Sequence, residues 1–154
     1  MPHTSDEDHF RRAAERHHDD AVHLQDSARL PNADHHYGFA VECALKSLML
    51  RYGGASMGPK KNGKLPNKPW IGSGQNDLGH LPGLWSELRL HLHGRSGGKL
   101  MALLTRSEPF DTWDVSDRYR ECPGLLESTV TQRKKASTEI MSLHQEALLA
   151  GRLP

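Results

Sequence analysis

Apolar and polar positions along this chain recur mostly at the spacing of α-helices. Between about Asp6 and Arg29, small or apolar side chains and one histidine fall three or four positions apart and form one helical face. The positions on this face are Phe10, Ala14, His17, Ala21, Leu24 and Ala28. Pro31 disfavours helical geometry at the preceding residue, so we expect the helix to break at residues 30–32.

A second helix with a wide apolar face follows the break. We expect Asn32 or Asp34 to cap its start, because these side chains accept hydrogen bonds from free backbone N–H groups. Gly53 and Gly54 are typical of a helix end. Residues 53–79 are rich in Gly, Pro, Asn and Lys and predict a long irregular loop.

Helical spacing returns in the second half of the chain. The segments that show it are residues 80–92, 100–106 and 125–150, with a Gly-rich break at 94–98 and a shorter aromatic segment at 110–119. No alternating strand pattern of any length appears. The chain therefore predicts one all-α domain over residues 9–152, preceded by a flexible polar tail at residues 1–8.

Composition narrows the class of protein only in part. The 154 residues carry 20 basic and 19 acidic side chains, so no strong overall field favours nucleic acid or membranes. The hydrophobic fraction of 36% is low and indicates long loops, an oligomer interface or both. No apolar run reaches the roughly 20 residues of a membrane helix, and the polar, acidic N-terminus excludes a secretory signal. We therefore expect a cytoplasmic protein.

Three motifs in this chain resemble the HEPN domain family. They are NADHHYGFAVECALKSLM at 32–49, DLGHLPGLW at 77–85 and WDVSDRYR at 113–120. The resemblance implies an up-and-down bundle of four to six helices that is often a homodimer. It also implies binding of nucleotides or RNA, a defence or toxin–antitoxin setting, and for some members pairing with a nucleotidyltransferase. Many members are toxins that cleave RNA.

The cleaving branch of the family resembles an Arg followed, after four to six residues, by a His late in the chain. Here the matching pairs are Arg12 with His17, Arg11 with His17 and Arg29 with His35, and nothing after Arg51 matches. We therefore favour a non-catalytic nucleotide- or RNA-binding module. A metal-independent RNA-cleaving toxin and a protein-interaction domain without ligand remain the alternatives.

Arg118 is the leading candidate for ligand contact, because its guanidinium can hold a phosphate with two parallel hydrogen bonds. The other candidates are Tyr119, Trp113, His80, Glu42 and Lys46. Each has a structural alternative. Asp114 and Arg118 are four positions apart and can form an ion pair, as can Glu42 and Lys46, while His80 can cap or pack its helix.

The long loop supplies a second candidate surface. Four lysines and no acid lie between Gly58 and Trp70, namely Lys60, Lys61, Lys64 and Lys68. They can contact phosphates while Trp70 stacks on a base, or the loop is a solvated surface tethered by Trp70. The clusters His17–Asp20 and Asp34–His36 lack a full set of metal ligands, so we expect neither metal nor cofactor.

Overall fold

The computed structural model describes residues 4–92, 98–106 and 108–154. Its elements in chain order are α1 (Asp6–Asp26), α2 (Leu30–Tyr52), β1 (Trp70–Ile71), β2 (Asn76–Asp77), α3 (Gly83–Leu92), α4 (Gly98–Thr105), a 3-10 helix (Val115–Tyr119) and α5 (Glu127–Ala150). The described part of the chain is thus mostly helical, and the predicted all-α class is confirmed. The expected break at 94–98 lies almost entirely outside the described residues.

Helix α1 begins within the segment predicted to be a tail. The Ser5 hydroxyl accepts a hydrogen bond from the backbone N–H of Asp8, and the first turn holds three acidic residues that favour the helix N-terminus. Asp8 also forms an ion pair with Arg51 at the end of α2. Residues 6–8 therefore belong to the folded domain, which corrects the predicted boundary at residue 8.

Helix α2 begins earlier than the sequence predicts. Its N-cap is Arg29, and Pro31 lies in the first turn, where its missing N–H removes no intrahelical hydrogen bond. The expected break at residues 30–32 and the expected caps at Asn32 or Asp34 are therefore wrong. The predicted end is right, since the N–H of Gly53 bonds to the carbonyl of Met49 at 3.0 Å.

Helix α2 is the centre of the fold. Helix α1 packs along it with the fully buried small side chains Ala14 and Ala21, and α5 packs on another side. Trp113 approaches α2 so closely at Gly38 that a Cβ there would lie 2.2 Å from Cε2 of the indole. Any larger residue at this position would displace the tryptophan.

The loop after α2 contains an element that the sequence did not predict. Strands β1 and β2 pair antiparallel, with Trp70 opposite Asp77, and Ser56 forms a bridge to Trp70. Two-residue strands are too short to show alternation, which explains why the pattern missed them. The indole N–H of Trp70 donates to the carbonyl of Gly58 at 2.9 Å, so Trp70 tethers the loop as the structural alternative predicted.

Candidate functional site

Three of the predicted ligand residues lie together between α2 and the start of α3. The buried Glu42 carboxylate accepts a hydrogen bond from the backbone N–H of Leu81 at 2.8 Å. The same carboxylate lies 3.1 Å from Nδ1 of His80, whose side chain is 49% exposed. An ionised carboxylate requires a donor at this position, so Nδ1 carries a proton and Nε2 is the open nitrogen.

Lys46 lies one turn further along α2 and is only 8% exposed. Both oxygens of Glu42 face His80 and one also accepts from Leu81, and the expected Glu42–Lys46 ion pair does not form. The Lys46 ammonium makes no hydrogen bond or ion pair with any residue that the structure describes. Burial lowers the pKa of Lys46, and the more distant Glu42 carboxylate only partly opposes this effect. A buried cation without a direct partner is costly, which marks this position as unusual.

The lysine loop contributes one charge to this cluster. Lys68 lies near enough to Lys46 to lower its pKa further. Lys60 instead forms an ion pair with Asp77 at 2.7 Å, and Lys61 and Lys64 are exposed. We call Glu42, Lys46, Lys68 and His80 the polar cluster.

The remaining predicted ligand residues lie elsewhere. Trp113 is 1% exposed and its indole N–H donates to the carbonyl of Asp34 at 3.2 Å, so it is a core side chain. Arg118 is exposed, with its guanidinium 4.8 Å from the ring centre of Tyr119, which is itself 78% exposed. No hydrogen bond or ion pair among the described residues joins Arg118 to the polar cluster.

The expected Asp114–Arg118 ion pair does not form. Asp114 caps the 3-10 helix by accepting from the backbone N–H of Ser116 at 2.7 Å, and Asp117 completes a capping box. Hydrogen bonds from Ser116 lower the pKa of Asp114, and the nearby charge of His80 adds to this effect. Asp114 is thus the acidic group that faces His80 from the side of the 3-10 helix.

A buried ion pair that the sequence did not reveal holds the same segment in place. The Nη1 group of Arg133 donates to both carboxylate oxygens of Asp34, at 2.7 and 2.8 Å. Its Nε donates to the carbonyl of Pro109, and its Nη2 donates to the Thr112 hydroxyl. Burial raises the pKa of Asp34, and the guanidinium opposes that rise. Arg133 therefore joins α5, α2 and the residues before the 3-10 helix.

Two neighbouring cavities of about 470 and 270 Å³ flank this ion pair and share Thr112, Thr129 and Arg133 in their linings. The charges at the larger cavity are partly satisfied within the protein, since Arg106 pairs with Glu139 at 2.9 Å and Arg133 pairs with Asp34. The cavities therefore offer a ligand fewer free charges of one sign than the polar cluster does.

The histidines near the start of the chain form contacts with one another or with the core. Nδ1 of His17 lies 3.0 Å from Nδ1 of His36. Their ring centres are 5.2 Å apart, which is close to the largest separation that this nitrogen distance allows. The nitrogens therefore face each other in a hydrogen bond instead of converging on a third atom. No group of three or more metal-ligating side chains converges within the described ranges.

The Arg–His pairs that resemble the cleaving branch do not assemble into a free pair. Arg11 binds Asp8 and Glu15, the latter at 2.8 Å. Nδ1 of His17 is occupied by His36, and the buried His35 ring stacks on Trp113 with ring centres 5.3 Å apart.

Comparisons of the chain with protein-family models, with curated proteins and with solved structures found no match. The HEPN resemblance accordingly rests on the three sequence motifs. Among the helices that the structure describes, none is long and apolar enough to cross a membrane.

Proposed function

We propose that this protein is a HEPN-like, non-catalytic module that binds nucleotides or RNA, and that the polar cluster contacts a phosphate of the ligand. The observation that carries the proposal is the Lys46 ammonium, which is 8% exposed and has no direct partner in the described structure. A bound phosphate would supply the missing counter-charge. Because the attraction between opposite charges is several times stronger in a partly buried site than in water, this contact would be favourable.

The neighbouring groups suit the same role. Lys68 adds a second cation, and the open Nε2 of His80 can donate when the ring is protonated. The exposed Lys61 and Lys64 lie on the same loop as Lys68 and can extend the contact along an RNA backbone. Arg118 and Tyr119 lie outside the cluster and form an exposed cation–aromatic pair that can add to RNA affinity.

The family resemblance adds further parts to the proposal. These are a homodimer, a cytoplasmic location, a defence or toxin–antitoxin setting, and a protein partner such as a nucleotidyltransferase. Light scattering tests the first part, since a homodimer has twice the 17.2 kDa mass of the chain. A single-chain mass at micromolar concentration would overturn it.

Binding to a labelled single-stranded RNA and to AMP, measured for two matched variants, tests the main proposal. Lys46→Met removes the buried charge, while Lys135→Met removes a charge of the same sign from the exposed surface of α5. We expect Lys46→Met to weaken binding by about tenfold or more and Lys135→Met to change it by less than about twofold. Equal loss in both variants would show that the contribution of Lys46 is only its general charge.

The same preparation separates the alternatives. The proposal predicts that RNA stays intact during prolonged incubation in EDTA. Cleavage of the RNA would support the metal-independent toxin instead. Absence of binding to both RNA and AMP would favour the protein-interaction domain.

A further inference from the structure

The charges of the polar cluster do not balance without a ligand. Lys46 and Lys68 supply two positive charges, and Glu42 supplies one negative charge. The pair Lys60–Asp77 beside them is neutral as a unit. With neutral His80 the cluster therefore has one net positive charge, and with protonated His80 it has two.

The position of His80 makes its second proton available to a ligand. Glu42 is held by the backbone N–H of Leu81 and lies 3.1 Å from Nδ1 of His80, so the carboxylate fixes the ring. A proton added at Nε2 leaves this contact intact and turns the open edge of the ring into a charged donor. Glu42 faces the ring from α2 and Asp114 faces it from the residue before the 3-10 helix, and both favour the added proton.

We propose that the polar cluster takes a terminal, dianionic phosphate monoester, and that His80 gains one proton at Nε2 from solvent as this group binds. The inference rests on the proposed function and specifies its ligand class. A phosphodiester carries one negative charge and balances the cluster when His80 is neutral. A phosphate monoester carries close to two at pH 7.5 and balances it when His80 is protonated. The site therefore distinguishes a phosphorylated end or a mononucleotide from an internal phosphate.

Isothermal titration calorimetry with four probes at pH 7.5 tests this inference. The probes are AMP, 3′,5′-cyclic AMP, adenosine and inorganic phosphate, which separate the monoester from the diester and from the base. We expect AMP to bind about tenfold tighter than cyclic AMP, adenosine to bind more weakly than both, and inorganic phosphate to compete with AMP. Titrations in two buffers of different ionisation enthalpy should show proton uptake with AMP and not with cyclic AMP.

A histidine variant and its matched control locate the proton. His80→Gln should abolish the proton uptake and reduce the preference for AMP over cyclic AMP to about twofold or less. His9→Gln, at an exposed position on α1, should leave both unchanged.

The outcomes distinguish this inference from the proposed function. Equal affinity for AMP and cyclic AMP would overturn the inference while nucleotide binding itself stands, as would equal affinity for AMP and adenosine. A preference for AMP without proton uptake would overturn the role of His80. Failure to bind any probe, together with failure to bind RNA, would overturn the proposed function.

Discussion

Protonation of His144 should make the protein lose stability in acid. His144 is 4% exposed on α5, and its Nε2 lies 2.8 Å from the hydroxyl of Ser47 on α2. That hydroxyl donates to the carbonyl of Glu7 on α1, so it accepts from Nε2–H of a neutral ring. Burial, with smaller contributions from Arg51 and Arg11, lowers the pKa of His144 from 6.5 to about 4.

The sign of the effect follows from proton binding. In the unfolded chain His144 gains its proton as the pH falls through 6.5, whereas in the folded protein it does so only near pH 4. Between these values the unfolded state binds more protons, so stability is fully present above pH 6.5 and is lost towards pH 4. At about 1.4 kcal/mol for each pH unit, the loss due to this group is about 3 kcal/mol.

Urea unfolding monitored by tryptophan fluorescence between pH 4 and pH 8 measures this loss. The matched variant is His144→Gln, because its side-chain amide can still donate to Ser47 but does not titrate. We expect the wild-type free energy of unfolding to fall by about 3 kcal/mol more than that of the variant between pH 6.5 and pH 4. Equal losses in the two proteins would refute the reasoning, since every other titrating group is common to both.

Three further outcomes follow from particular contacts. Arg133→Met leaves the buried carboxylate of Asp34 without its partner and should lower the free energy of unfolding by about 3–5 kcal/mol in urea titrations. Gly38→Ala places a methyl group against the indole of Trp113 and should destabilise the protein by about 1–3 kcal/mol while shifting its tryptophan emission. Lys68→Ala should reduce the slope of log affinity for RNA against log salt by about 0.7, and an unchanged slope would remove this lysine from the interface.

Local patterns predicted the helices well because their evidence lies within a few residues. The apolar spacing of α2 and the glycine at its end were both readable, and the observed end at Tyr52 agrees with them. Pro31 misled the prediction, because the same residue that disfavours a helix interior is well tolerated in a first turn. Sequence alone does not show on which side of the proline a helix begins.

The polar contacts were less predictable because their partners are far apart in the chain. Arg133 lies in a polar and basic stretch of α5 that suggests a solvated face, yet its partner Asp34 is 99 positions away. Glu42 and Lys46 have the spacing of an ion pair, but Leu81, 39 positions away, and His80 bind the carboxylate instead. The motifs did bring Glu42, Lys46 and His80 to attention together, and the structure places them side by side.

The account holds that Lys46 is buried without a partner in order to bind a ligand and not to stabilise the fold. Thermal unfolding of the wild type and of Lys46→Met, each with and without saturating AMP, tests this most directly. Removing an uncompensated buried charge should stabilise the free protein by about 1 kcal/mol or more, which raises Tm by about 2–4 °C for a chain of this size. AMP should raise the Tm of the wild type and leave that of the variant unchanged. A variant that melts below the wild type and is still stabilised by AMP would contradict the account.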